Sequence, residues 1–337
     1  MQLLVTGGAG YIGSVVAERL LQAGHAVTVL DNLSKGSRQA VPGQAELIVA
    51  DTGDAAALDR VFQANDFDAV LHFAGFIEAG ESMLAPEIYF ENNAAKTLTL
   101  LRSMLRHGVS RLVFSSTAAV YGEPKRLPIL EDDPLEPTNP YGESKLMVER
   151  MLAWFHRVHG LSYASLRYFN AAGAAAGHGE AHRPETHLIP LVLQAALGER
   201  ESVSIYGTDY PTKDGTCIRD YIHVDDLATA HLLALDALAE EARLIFNLGS
   251  GSGFSVREII DVARKVTGRK ISVVEAPRRA GDAAVLIAGS EKIRRVLGWQ
   301  PQHSDVEAMV RSAWEWYSSQ ALRCQNATPF TASQVRS

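Results

Sequence analysis

The sequence predicts an α/β protein, a doubly wound parallel sheet joined to a smaller C-terminal part. Three observations predict it. Short β-rich runs alternate with longer helix-compatible stretches over the first half of the chain. Those runs are continuously apolar rather than alternating, as strands covered on both faces must be. The 337 residues, 47% of them apolar, exceed one ordinary domain and suffice for more than one core.

In order, "LLVTGG", "AVTVLD", "AELIVAD", "DAVLHFAG", "RLVFSS" and "YASLRYFN" read as strands ending in turn or polar residues. After Asn170 the regularity lapses into "AAGAAAGHGEAHRPETH", where substrate-binding territory is expected to begin. "LIFNLGSG" reads as a strand returning to the first sheet. These boundaries assign 1–173, with about 216–249, to a cofactor-binding domain and 174–215 with 250–319 to a substrate domain. The segment 320–337 has no sustained periodicity and is expected to fray.

A formal net charge of −7 argues against a nucleic-acid partner, and "RKVTGRK" and "KIRR" read as solvated helix faces. Cys217 and Cys324 stand apart, without the spacing of a disulfide framework or zinc site, so no metal is expected and a reducing cytoplasm fits. "MQLLVTGG" lacks a signal-peptide pattern and no apolar run reaches about 18 residues, so neither export nor a membrane span is expected.

"VTGGAGYIG" combines a strand, a glycine turn and a helix start. Gly8, Gly10 and Gly13 fit one glycine spacing and Gly7, Gly10 and Gly13 another, and the sequence leaves both open. Either places a pyrophosphate at a helix N-terminus, where N–H groups and the dipole favour anionic oxygen. Asp31, ending the second strand, stands where an acid accepts from adenosine ribose hydroxyls and repels a 2′-phosphate. The first domain is thus expected to be of Rossmann type and to take NAD rather than NADP. Asp51 and Thr52 could hold the adenine edge, while Lys35 and Arg38 read as solvated loop cations. In "NPYGESKLMVER", Tyr141 and Lys145 are four apart at a helix start and share one face. A lysine there can reach the cofactor ribose and, together with a nicotinamide cation, lower the phenol's pKa toward that of a usable base.

"TGGAGYIG", "DNLS", "HFAG", "ENN", "FSSTAAVYG", "NPYGESK", "LRYFNAAGA", "YPTKDGTCIRDYIHVDDLA" and "FNLGSG" follow one another from residue 1 to about 318. In that order they resemble the extended short-chain dehydrogenase/reductases, and among them the UDP-galactose 4-epimerase family. The resemblance implies interconversion of UDP-galactose and UDP-glucose by transient oxidation at C4, with Tyr141 as base, Lys145 on the nicotinamide ribose and the Thr117 hydroxyl on the reacting oxygen. It implies cofactor contacts from Tyr11, Ile12, Asn32, Phe73, Ala74, Gly75, Asn93, Ser115 and Tyr168, besides the residues above. The UDP part would be held by Asn170, His187, Leu188, Tyr206, Arg219, Arg279 and Asp282, and Leu286 would gate the sugar pocket. Ile77 departs from relatives that carry a cofactor-binding lysine there.

In the same resemblance, enzymes that eliminate water from the 4-keto sugar place Asp and Glu directly after the threonine. Here those positions are Ala118 and Ala119. Neither moves a proton, so returning the hydride to the opposite face is the remaining course. Epimerases of another UDP-sugar share every motif, and a non-catalytic NAD sensor would have no need of Tyr141 and Lys145. His72 reads as a core histidine, and His107, His156 and His159 as non-catalytic. The apolar band Met147, Val148, Met151, Leu152, Trp154, Phe155 and Val158, with Leu98, Leu101 and Leu105, is expected to form a homodimer interface.

Overall fold

A computed structural model describes residues 1–182, 184–279 and 281–326. The first half alternates as its apolar runs dictate. Strand β1 (Gln2–Thr6) leads to helix α1 (Tyr11–Gln22), β2 (Ala26–Asp31) to β3 (Glu46–Val49), and α2 (Ala55–Ala64) to β4 (Ala69–His72). Short helices α3 (Ala79–Ser82) and α4 (Pro86–Tyr89) and a π-helical turn at Phe90–Ala95 run into α5 (Lys96–Arg106). Then come β5 (Arg111–Thr117), α6 (Pro140–His159), β6 (Ser162–Tyr168) and β7 (Asn170–Ala172).

The second half contains α7 (Leu188–Leu197), β8 (Val203–Tyr206), β9 (Ile218–His223), α8 (Val224–Ala237), β10 (Arg243–Leu248), β11 (Gly253–Ser255) and α9 (Val256–Thr267). It closes with β12 (Val273–Ala276), β13 (Val285–Leu286), α10 (Glu291–Leu297) and α11 (Val306–Asn326).

Seven parallel strands in the order β10-β6-β5-β4-β1-β2-β3 form the main sheet. Successive residues of β1 serve opposite faces. Leu3 and Val5 join the core under α1 and α8, and Leu4 joins Leu58, Leu100 and Val148 under α2, α5 and α6. Order reverses between β1 and β4, which opens a crevice at the strands' carboxyl ends. A third core, with Val192, Ile205, Ile260 and Met309, lies among α7, α9 and α11 beside the smaller sheets β11-β9-β13, with β7 on β9, and β12-β8.

Helix α6 starts where it must. Asn139 accepts from the Gly142 amide at 2.9 Å and Pro140 stands in the first turn, while Gly160, at φ 74°, ends the helix. Beneath it Arg167 and Glu149, with side chains 2% and 6% exposed, pair at 2.6 Å. Ser116 donates to Glu149 at 2.6 Å and Arg167 to the Tyr121 hydroxyl at 2.7 Å, so β5, β6, α6 and the turn after β5 share one buried network.

The chain crosses between the two parts more often than its local patterns indicate. Ile293 of α10 and Trp299, within the expected 250–319 substrate segment, fill the main-sheet core, and Trp299 Nε1 donates to the Asp226 carbonyl at 3.0 Å. Conversely β9, in the segment expected with the main sheet, is central to the four-stranded sheet. An apolar pattern shows that a residue is buried but not in which core. Helix α11 runs to Asn326, past the expected fraying point, and 327–337 lie outside the described residues.

Candidate active site

Gly7 resolves the glycine register. It has φ +73°, and a Cβ there would lie 2.4 Å from the Ala74 amide nitrogen. A Cβ on Gly13 would lie 2.3 Å from the Gly7 carbonyl oxygen, so its absence lets α1 pack against the turn, whereas a Cβ on Gly8 would meet only the side chains of Val29 and Val5. Gly10 precedes α1 without a side-chain cap, and no acid occupies the first turn, so the helix N-terminus faces the cavity with its amides free of carboxylate. Asp31 ends β2 and accepts from the Ala9 amide at 3.0 Å and the Leu33 amide at 2.8 Å. Asp51 accepts from Asn32 Nδ2 at 2.7 Å and pairs with Lys96 at 2.8 Å.

These residues line one cavity of ≈ 660 Å³ that runs from Gly7, Gly10, Tyr11, Ile12, Asp31 and Thr52, past Phe73, Ala74, Gly75, Ser115, Thr117, Tyr141 and Tyr168, to Asn170, His187, Leu188, Tyr206, Arg219, Arg279 and Asp282. The close-packed glycine cradle, the bare helix N-terminus and the acid at the end of β2 fit a dinucleotide with a free 2′-hydroxyl. Lys145 and Asn93 act from behind the wall. Lys145 Nζ donates to the Ser115 carbonyl at 3.0 Å and would lie 3.1 Å from a Cβ on Gly75. Buried Asn93 accepts from the Phe76 amide at 2.8 Å and donates to its carbonyl at 2.9 Å, which pins the loop after β4.

Thr117 and Tyr141 meet at the centre. Burial raises the Tyr141 pKa to about 12, hydrogen bonding with Thr117 pulls it down, and the Glu78 charge pushes it up. Desolvation also brings Lys145 down to about 8, with its ammonium engaged by the Ser115 carbonyl. Ala118 and Ala119 lie in the 3-10 turn after Thr117, and a Cβ on Gly142 would lie 2.5 Å from the Ala119 carbonyl, so this turn seats directly on α6.

At the far end Asp282 joins two arginines, Arg279 Nε at 2.9 Å and Arg219 Nη2 at 3.5 Å. Arg279 also lies 4.8 Å from the centre of the Tyr206 ring. Asn170 turns its amide to the Asp220 carbonyl at 3.0 Å.

Some expectations change. Leu286 does not line this cavity; it is half-buried against the Val120, Tyr121, Ile129 and Leu146 cluster, because pairing with β9 packs β13 over the turn after Thr117. Lys35 is not a solvated cation: it pairs with buried Glu78 at 2.7 Å, close to Ile77 in the cavity wall. His72 is a core histidine, bonded to Thr6 Oγ1 at 2.6 Å and Thr97 Oγ1 at 2.8 Å and depressed by burial to about 3. His231 was not legible. Its Nδ1 donates to the Leu227 carbonyl at 2.8 Å, which leaves Nε2 to accept from the Tyr168 hydroxyl. Only its spacing from Leu227, one turn along α8, is visible in sequence.

The chain matches the NAD dependent epimerase/dehydratase family over residues 3–249. It is 53% identical to the UDP-glucose 4-epimerase of Halalkalibacterium halodurans, covering 94% of this chain and 96% of that one. It is 54% identical to that of Streptomyces lividans, covering 94% and 96%. The structure of the UDP-glucose 4-epimerase of Bifidobacterium longum, in complex with NAD+ and UDP, matches with a TM-score of 0.92 and 39% identity, covering 95% of this chain and 99% of that one.

Proposed function

This chain belongs to the NAD dependent epimerase/dehydratase family, and from that premise we propose that it interconverts UDP-glucose and UDP-galactose by inverting C4 of the hexose. The observation that carries the reading is that Tyr141 and Thr117 line one cavity, and that the turn following Thr117 holds alanines instead of acids. Tyr141 takes the proton of the sugar's O4 and gives it back, and Thr117 hydrogen-bonds that same oxygen. NAD, the cofactor, supplies a hydride acceptor at C4 that becomes the donor for the return step. Lys145 places a positive charge beneath the Tyr141 helix turn, and Tyr168 is fixed at the cavity wall by His231.

Gly7, Gly10 and Gly13 admit the pyrophosphate and Asp31 the adenosine ribose. Arg219 and Arg279, bridged by Asp282, take the UDP phosphates, with Asn170, His187 and Leu188 on the nucleotide side. Tight hold on the nucleotide and few contacts to the hexose let the keto sugar turn over while anchored. Ala118 and Ala119 supply no acid–base pair, so water is not eliminated.

The protein works as a homodimer in the cytoplasm. Met147, Trp154 and Val158 of α6 and Leu98 and Leu105 of α5 are exposed and supply the interface, whereas Leu101, Val148 and Leu152 of the expected band are buried in the chain's own core. No helix among the described residues is long and apolar enough to cross a membrane. The test is incubation with UDP-sugars without added NAD, reading epimers by chromatography. UDP-galactose formed from UDP-glucose, and the reverse, is expected; a net oxidised or dehydrated product would overturn the reading.

A further inference from the structure

Two histidines and two glutamates cluster where the strap after β7 meets the start of α7, and the reaction above uses only one of them. Glu180, His182 and His187 each offer a ligand atom, and the three atoms lie within 4.8 Å of one another. His182 Nδ1 lies 2.6 Å from Glu180 Oε1 and His187 Nδ1 4.0 Å from Glu180 Oε2. Glu180 and Glu185 are nearly enclosed, with side chains 8% and 3% exposed.

We propose that Glu180, His182 and His187 form a binding site for one divalent transition-metal ion of the zinc class, which locks the strap to α7 on the cavity wall. The donor set decides the class. Two imidazoles and a carboxylate suit zinc and its neighbours, not the oxygen-only preference of calcium or magnesium. With bonds of about 2.0–2.2 Å, zinc would draw the three donors in by small side-chain rotations and keep a fourth position toward the cavity.

The surroundings fit a cation. Glu185 Oε1 lies 2.8 Å from His187 Nδ1, the carboxylate-behind-imidazole arrangement that orients a metal-binding ring and leaves its other nitrogen to coordinate. Two carboxylates would balance the charge of the ion. Among the described residues, buried His182 Nδ1 and Glu185 Oε2 have no partner of hydrogen-bonding geometry, despite the short His182–Glu180 approach. The strap has fixed anchors on both sides: Tyr11 of α1 donates to the Gly173 carbonyl at 2.6 Å, and Tyr317 of α11 to the Glu180 carbonyl at 2.7 Å. A metal would therefore tie together the strap, the substrate helix and, through Tyr11, the cofactor turn. In its absence, the close approaches of His182 to Glu180 and of His187 to Glu185 would hold the same segment.

The experiment uses tag-free full-length protein with its cofactor, treated with chelator and then titrated with Zn²⁺ by calorimetry. One ion per chain and a zinc-dependent rise in melting temperature are expected. His182→Gln and, separately, Glu180→Gln should each weaken binding at least about tenfold and abolish that rise. Co²⁺ added to the unaltered protein should give the visible absorption of a site with imidazole ligands, a readout that depends on no variant. No saturable binding by the parent would overturn the proposal and leave an ion-paired strap; so would equal affinity in both variants.

Discussion

The Lys145 ammonium donates to the Ser115 carbonyl at 3.0 Å, so a buried charge fastens the first turns of α6 to the end of β5. Its pKa, brought to about 8 by burial, lies below the ordinary lysine value of about 10.4. Between those values the folded chain binds fewer protons than the unfolded one, so stability rises with pH across that window. Freed of cofactor, Lys145→Met should therefore melt higher than the parent at pH 7, with an advantage that shrinks as pH climbs from about 8 to 10. A melting difference that stays flat with pH would contradict this. Activity should fall at every pH.

Tyr141→Phe keeps the ring and removes the base. A loss of at least about 10²-fold in kcat is expected, with a smaller loss for Thr117→Ala and near-parental turnover for Thr117→Ser. Full turnover in Tyr141→Phe, measured by conversion of UDP-galactose, would remove the phenol from the mechanism.

Glu78 pushes the Tyr141 phenol upward and is itself held below the ordinary carboxylate range mainly through its bond to Lys35, against the effect of burial. Glu78→Gln deletes that negative charge while leaving Lys35 in place, and both changes favour the phenolate. The acid limb of the kcat profile, where the base must be deprotonated, should move to lower pH. A shift to higher pH, or none, would show that Glu78 does not act on the base.

Two glycines with positive φ separate strain from collision. A Cβ at Gly24, at φ +85°, meets nothing within 4 Å, whereas at Gly7 it meets the Ala74 backbone at 2.4 Å. Gly24→Ala should cost about 1–2 kcal/mol and retain NAD. Gly7→Ala should cost more and yield protein without bound nucleotide, read from the absorbance released on denaturation.

Trp154 is 60% exposed and Val158 63% on the outer face of α6. Trp154→Glu with Val158→Glu should convert a dimer to monomer in sedimentation, with the secondary structure kept. A parent that sediments as monomer would end the interface proposal.

What could be read from the sequence followed from local chemistry. Continuous apolar strands gave the parallel sheet, and glycine spacing with Asp31 gave the cofactor crevice. Tyr141 and Lys145 stood out by their spacing at a helix start, whereas Thr117 was singled out by the family resemblance; Tyr141 and Thr117 line the same cavity. What was not legible depends on distant partners. The glycine register is decided by Ala74, the Lys35 charge by Glu78, the placement of Leu286 by β9, and the core assignment of Trp299 by Asp226, each separated from its partner by forty or more residues. Enclosure, which raises the Tyr141 pKa, is likewise a property that spacing does not report.

The Arg167–Glu149 pair carries a consequence for how this enzyme can change over time. Replacing either partner alone strands a charge inside the protein, a loss on the order of 3–5 kcal/mol, whereas an apolar pair of similar volume can be neutral. The two positions are therefore historically locked: a descendant can abandon the pair only by exchanging both together, or by passing through an ancestor stable enough to survive the half-step. Because Ser116 and Tyr121 lean on the same two side chains, the turn that presents Thr117 inherits that immobility, and its hydroxyl stands on ground that single substitutions cannot easily reshape.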